Sequence, residues 1–456
     1  MSTPLFDPGE FTSPKPEENT AAADSSSPSK VRLRQAQRDQ VEMRWASLDQ
    51  LLPEHDEARV VWAAVCGLDL SRWLGEIKSV AGGAGAPSTD PRILVALWVY
   101  ATFRAIVSAR ELEKLTRTCL PYEWFCGGVS VNHHLLSDFR SQGGEKWDEL
   151  MTHIVSSLMY EELVTMDCVA QDGMRVRADA GKASFRRKKT LETCREEAET
   201  QIAALKELEE NPDELNRRRT KARERAVNER QARIDQALKH VVTVQAERDA
   251  RGKTTNETVK EARASTTDPE ARNMKFANGG YNPGYNVQFS TDTASGIVVG
   301  VEVTNAGSDA EELAPMLDQL AERYDRAPRQ VLVDGGFATK DGITEATEKH
   351  GCTVYAPLKD LEKQLQQGRD PYAPKAGDTP AVKAWRARMG EAASKVIYKL
   401  RCQTAEWVNA QCRNHGLQQM PVRGQPKCRN VALLYAITHN LMQAVQLRAQ
   451  RSKMTG

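Results

Sequence analysis

The sequence predicts an α/β protein with an all-helical region before the sheet and a long helical hairpin inserted into it. Three observations predict this. Short β-branched runs recur from residue 168 onward between helix-favouring segments. Residues 41–155 carry helical rather than strand patterning. Between Lys182 and Val259 the composition turns abruptly charged and helix-favouring, with Asn211-Pro212 as the hard break.

At 456 residues the chain is long enough for two or three domains. Residues 1–40 open rich in Pro, Ser, Thr, Glu and Ala, the composition of a disordered arm. No early apolar stretch follows a basic segment, so no signal peptide is expected. Leu48, Leu51 and Leu52, then Val60, Val61, Ala64 and Val65, mark the first helical positions. Gly82-Gly83-Ala84-Gly85-Ala86-Pro87 is a connector and not a phosphate loop, because no Gly-Lys-Ser/Thr follows. Asp90 with Pro91 starts the next helix, and Ser108 with Glu111 forms a capping box for another. A third is expected from Ser130, with Leu135, Leu136 and Phe139 apolar and Asn132, His133 and Arg140 polar between them. Three such helices form either a helix-turn-helix that binds DNA or a packed subdomain. His133 and His134 suit capping or interfacial positions.

Residues 160–181 read as strand, with a turn at Asp172-Gly173 and alternation through Met174-Arg175-Val176-Arg177-Ala178. The insertion, residues 182–265, pairs Leu191, Ala198, Ile202, Leu205 and Leu208 with Leu215, Ile234, Leu238, Val241 and Val242, the second arm being the longer. Residues 266–448 resume the α/β pattern. Tyr285 to Phe289 and Ile297 to Val303 form adjacent strands joined near Ser295-Gly296. Ser308 and Glu311 cap a helix reaching Tyr324, which gives Asp309 a structural role at a helix start. Strands follow at Gln330 to Val333 and Thr353 to Ala356; a polar loop from Gln366 to Thr379 then leads to the helix bearing Glu406. Leu433, Leu434, Ile437 and Leu441 pack the last helix, and 449–456 are a tail.

Composition excludes several classes. The longest apolar stretch, Ile93 to Phe103, is too short to span a bilayer. Nine scattered cysteines without a Cys-x-x-Cys pair fit a reducing cytoplasm better than a disulfide framework. Cys412 and His415 with Cys402 and Cys428 lack the paired spacing of structural zinc. The net charge of +1 is neutral overall, but it is unevenly spread. Lys182, Arg186, Arg187, Lys188 and Lys189 form one basic block, and Arg217, Arg218, Arg219, Lys221, Arg223 and Arg225 another. These serve either as phosphate contacts or as solvated helix faces.

Three acids carry the chemistry. Asp172 stands before a glycine, and Asp334 ends Val331-Leu332-Val333 and precedes Gly335-Gly336. Glu406 lies on a helix with Tyr398 and Arg401. Two strand-end aspartates and a helical glutamate are oxygen donors for hard divalent cations, and the combination suggests a two-metal nucleic-acid site. Taken singly, each acid has a bland reading as a turn or a solvated helix residue. Asp167 competes with Asp172 as the first acid.

These motifs resemble those of the DDE transposases of bacterial insertion sequences, most closely the family numbered eleven eighty-two within the insertion-sequence four/five superfamily. The resemblance covers most of residues 45–448. Asp172-Gly173-Met174-Arg175-Val176-Arg177-Ala178 resembles the first-acid motif, Gly284-Tyr285-Asn286-Val287-Gln288 the following strand, and Val331 to Phe337 the second-acid strand. Tyr398, Arg401 and Glu406, continuing through Asn409, Arg413 and Val422-Arg423-Gly424, resemble the final helix and the stretch after it. Residues 88–145 are similar to the family's helical N-terminal domain. The resemblance implies a ribonuclease-H-like catalytic core of residues 160–181 and 266–448, with a mixed sheet flanked by helices.

It further implies that Asp172, Asp334 and Glu406 bind two Mg²⁺ ions, with Mn²⁺ as a substitute, for cleavage and strand transfer. Tyr398, Arg401, Arg413, Arg423, Lys182, Arg186 and Arg187 become DNA contacts, although Tyr398, Arg401 and Arg413 also suit plain helix-to-sheet packing. The implied partners are double-stranded DNA with terminal inverted repeats, target DNA, and a second copy in a homodimer. One departure is that Glu406 follows Arg401 by five residues, one more than in the commonest Tyr-Arg-Glu signature. Rival readings are a nuclease that cuts without joining, an inactive DNA-binding regulator, and a coiled-coil scaffold.

Overall fold

The computed structural model describes residues 45–79, 86–208, 214–250 and 261–455. The expected arm and most of the glycine connector lie outside them. Residues 47–456 form one compact unit. Of residues 1–46 only Trp45 and Ala46 are described, both exposed.

The helical region opens with α1 (Leu48–Leu51), α2 (Glu57–Cys66) and α3 (Ser71–Leu74). Then comes α4 (Pro91–Phe103), where Asp90 accepts from the Arg92 N–H and Pro91 takes the first position, as the sequence predicts. α4 is apolar around most of its circumference and buried from Ile93 to Thr102, the pattern of a helix enclosed on all sides. Ser108 caps α5 (Ala109–Thr118) through the Glu111 N–H. A helix that the sequence reading lacks, α6 (Leu120–Cys126), precedes α7 (His133–Gln142). α7 begins at His133 and not at Ser130, because the Asn132 side chain accepts from the Leu135 N–H and fixes the start there. α8 (Glu145–Tyr160) closes the region.

The sheet starts with β1 (Cys168–Arg177), which runs without a break through Asp172-Gly173. The expected turn is therefore absent: Gly173 pairs with Gln288 inside the ladder. Glycine is needed there for another reason. A Cβ at Gly173 would lie 2.5 Å from Gln288 Nε2 and 2.9 Å from Asn286 Oδ1, and would also meet Asp309.

A 3-10 turn at Lys182–Ser184 and β2 (Phe185–Arg186) lead into α9 (Lys188–Leu208). α10 (Glu214–Ala250) returns against it, and β3 (Ala264–Ser265) pairs with β2 to close the base of this hairpin. The hairpin has its own core of Leu191, Ala237, Val241, Val244, Ala262 and Ala264. Val242, expected in that core, is 52% exposed, since its neighbour Val241 holds the inward face. Leu208 and Leu215 lie outside the side chains described.

β4 (Arg272–Lys275), β5 (Tyr281–Asp292) and β6 (Val298–Thr304) complete the antiparallel half. α11 (Leu313–Tyr324) starts later than Ser308 and Glu311 would place it, because the stretch before Leu313 is turn. β7 (Gln330–Leu332), α12 (Lys340–Glu348) and β8 (Thr353–Tyr355) follow. The sheet is mixed. β1 is antiparallel to β5 and parallel to β7, β7 is parallel to β8, and β4 and β6 both pair with β5.

α13 (Leu361–Gln366) and α14 (Pro380–Gly390) flank the polar loop, and neither is named as a separate helix in the sequence reading. α15 (Ala392–Arg401), a π-helical turn (Cys402–Glu406) and α16 (Trp407–Asn414) continue one another. α17 (Gln425–Thr455) takes in the expected tail as helix. Every residue of α17 from Asn430 to Thr438 is buried. The helix packs against β6 on one side and against α4, α7 and α8 on the other. Asn440 both accepts from the Val298 N–H at 2.8 Å and donates to its carbonyl at 2.7 Å, fixing α17 to the sheet edge. The N-terminal helices and the sheet thus share a core.

Candidate functional site

The β1–β7 register sets the first two acids level. Ala170 pairs with Leu332, so Asp172 and Asp334, each two residues further on, stand side by side at neighbouring parallel strands and on one face. Asp172 sits mid-strand opposite Phe289 of β5. Asp334 lies just beyond β7, where Oδ1 accepts from the Gly336 N–H at 2.6 Å. A Cβ at Gly336 would come within 2.8 Å of that oxygen, which explains the second glycine.

The third acid arrives from the helical side. Arg401, 7% exposed, donates from Nη2 to Asp172 Oδ1 at 2.7 Å and from Nη1 to Glu406 Oε1 at 2.8 Å. Asn409 Nδ2 donates to the other Asp172 oxygen at 2.8 Å. Asp172, Arg401 and Glu406 are therefore joined directly, with Asp334 beside them.

Electrostatics follow the geometry. Burial pushes the Asp172 carboxyl above its usual range; Arg401 and Asn409 oppose this, and the neighbouring Asp334 charge adds to it. Burial works against the Arg401 charge, yet Asp172, Tyr398, Asp334 and Glu406 outweigh it and raise its pKa. Burial likewise raises Tyr398, which lies close enough to feel Asp334 and Arg401. Three carboxylates against one guanidinium leave an excess of negative charge. The oxygen-only donor set suits a hard divalent cation. With Arg401 between Asp172 and Glu406, however, no three His, Cys, Asp or Glu side chains among the described residues are grouped closely enough to hold a metal ion.

The other expected site residues are dispersed. Arg413 is exposed on α16, one side of the helix away from buried Cys412. Arg423 donates to Asp179 Oδ2 at 2.8 Å near the end of β1. Lys182, Arg186 and Arg187 are exposed at the hairpin base, with Arg187 3.4 Å from Glu261. Asp167, the rival first acid, precedes β1 and pairs at 3.6 Å with Arg329, away from Arg401. Asp309 is not a helix cap: it accepts from Asn286 Nδ2 at 2.6 Å and Gln288 Nε2 at 2.8 Å beneath Gly173.

Two groups near the acids are named in the sequence reading, but not for the contacts they make here. Asn409 follows Glu406 by three residues, a helical spacing that signals a shared face. The Asn286, Gln288 and Asp309 cluster had no local signal, because it forms across strands. Arg140, expected on the polar face of α7, is 4% exposed; it donates to the Val107 carbonyl at 2.7 Å and covers the Trp98 ring. His133 bonds to Glu113 through both its backbone N–H and Nδ1.

A mixed sheet with carboxylates level on parallel strands and a helical glutamate opposite them is consistent with a ribonuclease-H-like nucleic-acid enzyme. Residues 248–441 match the family described as "Transposase DDE domain", and residues 46–142 match the one described as "Transposase domain (DUF772)". Together they support transposase function, and the DDE family implies a divalent metal and a DNA substrate. Asp334 and Glu406 fall within the first match; Asp172 lies upstream of it. No curated protein matches the chain. No helix among the described residues is long and apolar enough to cross a membrane.

Proposed function

We propose that this protein binds the ends of its own insertion sequence and cuts and joins DNA strands by a two-metal DDE reaction, with Asp172, Asp334 and Glu406 as the metal-binding acids. The observation that carries this reading is the direct linkage of Asp172 to Glu406 through Arg401, with Asp334 level with Asp172 on the next strand. Two Mg²⁺ or Mn²⁺ ions, when bound, activate the attacking oxygen and stabilise the leaving one. The chain's own part is positioning. β1 and β7 fix two carboxylates at one level, Asn409 orients the first by its amide, and the helical arm brings in the third. Tyr398, close enough to Arg401 and Asp334 for their charges to act on it, suits a contact to the DNA backbone.

DNA contact is supported by exposed cations in two places. α5 presents Arg110, Lys114 and Arg117 along one exposed stripe, a spacing that follows a single helix face. The exposed side of α7 instead offers His134 and Asp138, which suits phosphate poorly. At the hairpin base, Lys182, Arg187, Arg248 and Arg263 are exposed around a concavity of about 520 Å³ that Glu261 and the largely covered Arg272 also line, with Arg187 paired to Glu261 and Arg272 to Glu247. Arg413 is exposed one helix beyond Glu406, and Arg423 is held near the end of β1. Two ends carrying inverted repeats are joined most simply by a homodimer, and target DNA is the second substrate.

The test is Mg²⁺-dependent cleavage of a DNA fragment spanning the gene's flanks. Wild type should cut at defined positions, with no cutting by Asp334→Asn or when Ca²⁺ replaces Mg²⁺, while binding persists. Specific binding without cutting by wild type would instead favour a DNA-binding regulator.

A further inference from the structure

We infer that Arg401 is the resident counter-cation of the acid cluster, and that a divalent metal loads by displacing it from Asp172 and Glu406. The inference rests on the proposed catalytic role of these acids.

The guanidinium already holds two of the carboxylates that would ligate a metal. It bridges Asp172 Oδ1 and Glu406 Oε1 at 2.7 and 2.8 Å, and Asn409 holds the second Asp172 oxygen. Two of the three acids are thereby committed to a protein cation. Among the described residues no three acids stand ready as a cage. The bridge is incomplete, because Arg401 Nε is buried with no hydrogen-bond partner. A buried arginine with one orphaned N–H has less to lose on leaving than one with all five donors satisfied.

The bridge also borders solvent. Arg401 is the last residue of α15, at the entrance to the π-helical turn, and next to it Cys402 and Gln403 are exposed. Glu406 is half open to solvent, with 49% of its side chain exposed, so that end of the bridge can break into water. Asp172, with 17% of its side chain exposed, cannot remain unpaired once Arg401 departs, and an incoming cation restores its partner. Arg401 is thus a positioning residue: it keeps the metal-free acids together and sets, by competition, how tightly the metal binds.

The experiment is Mn²⁺ titration of the full chain by calorimetry or by loss of the free-ion paramagnetic signal, with thermal unfolding alongside. Arg401→Gln should bind Mn²⁺ at least about tenfold more tightly than wild type, because its competitor is gone. Its metal-free melting temperature should fall, and the rise on adding Mn²⁺ should exceed that of wild type. Arg401→Lys keeps the charge but reaches only one carboxylate, so it should tighten binding by a smaller factor; it decides the matter if the glutamine variant does not fold. Unchanged or weaker Mn²⁺ binding in both variants would overturn the inference while leaving the catalytic reading intact, provided Asp334→Asn abolishes binding. Absence of any Asp334-dependent Mn²⁺ binding in wild type would overturn both.

Discussion

Arg401 and Glu406 are five residues apart and meet at 2.8 Å across a π-helical turn. Side chains five apart do not share a face of an α-helix, whereas three or four apart do. The widened i→i+5 turn brings them round. The longer spacing between arginine and glutamate, a departure from the commonest signature, is thus absorbed by one local change of helix type. Such turns cost helical stability and recur at functional sites, which fits the position of this one.

Asn409 should matter to chemistry more than to folding. Its amide donates to a buried carboxylate, and hydrogen bonds to charged groups contribute about 1.5–3 kcal/mol. Asn409→Ala should slow flank cleavage by roughly 10- to 100-fold at saturating Mg²⁺. Asn409→Asp, which sets a second carboxylate against Asp172, should slow it further. Single-turnover rates of the two variants check the order.

Gly173→Ala should destabilise the fold although it adds only a methyl group. The new Cβ would press on Gln288, Asn286 and Asp309, which already bond to one another. A cost of about 1–3 kcal/mol is expected for overpacking of this kind. Urea unfolding should show a lower midpoint with unchanged slope.

Asp378 gives the fold an acid limit. Burial alone would raise its carboxyl, but Lys340, the Lys375 N–H and Arg386 outweigh that and hold it well below the usual aspartate range. Its folded pKa lies below its unfolded one, so its contribution is fully present above the unfolded value of about 3.9 and is lost as pH falls through the folded value. Wild type and Asp378→Asn should therefore differ by a constant amount above about pH 5 and begin to converge only below about pH 4, the gap closing as pH falls toward the depressed folded value. Melting temperatures across that window provide the measurement.

Arg140 should prove to be a packing residue. Burial pushes its guanidinium down to about 10, and its contacts are the Trp98 ring and the Val107 carbonyl. Arg140→Ala should cost about 2–4 kcal/mol through the lost ring contact and the unpaired carbonyl. Arg140→Met fills the space without burying a charge and should cost less. DNA affinity of the methionine variant should remain at the wild-type level, as filter binding or fluorescence anisotropy would show.

The strand-end position of Asp334 was readable in the sequence because its signal is local: Val331-Leu332-Val333 needs a sheet interior, and the glycines after Asp334 need an opening. Asp172 was readable as a candidate but not in its setting. Asp-Gly reads as a turn, while the true demand for glycine comes from Asn286, Gln288 and Asp309, more than a hundred residues away. The π turn left no trace in composition, since nothing in Cys402-Gln403-Thr404-Ala405 distinguishes it from α-helix, and only the extra residue between Arg401 and Glu406 marks it. α14 did leave one: Thr379 caps it and Pro380 takes its first turn, the same signal that located α4. Arg140 misleads because a charged residue on an amphipathic helix normally faces water, and only the fold shows Trp98 beneath it.

The buried stretch of α17 from Asn430 to Thr438 bears on how such a protein can be re-engineered. One rod serves as the inner wall of both the N-terminal helices and the sheet, so the two halves are not cassettes that can be exchanged between relatives by cutting at a linker. Whatever the N-terminal helices grip is held at a fixed offset from Asp172 and Asp334, and α17 is the ruler that sets it.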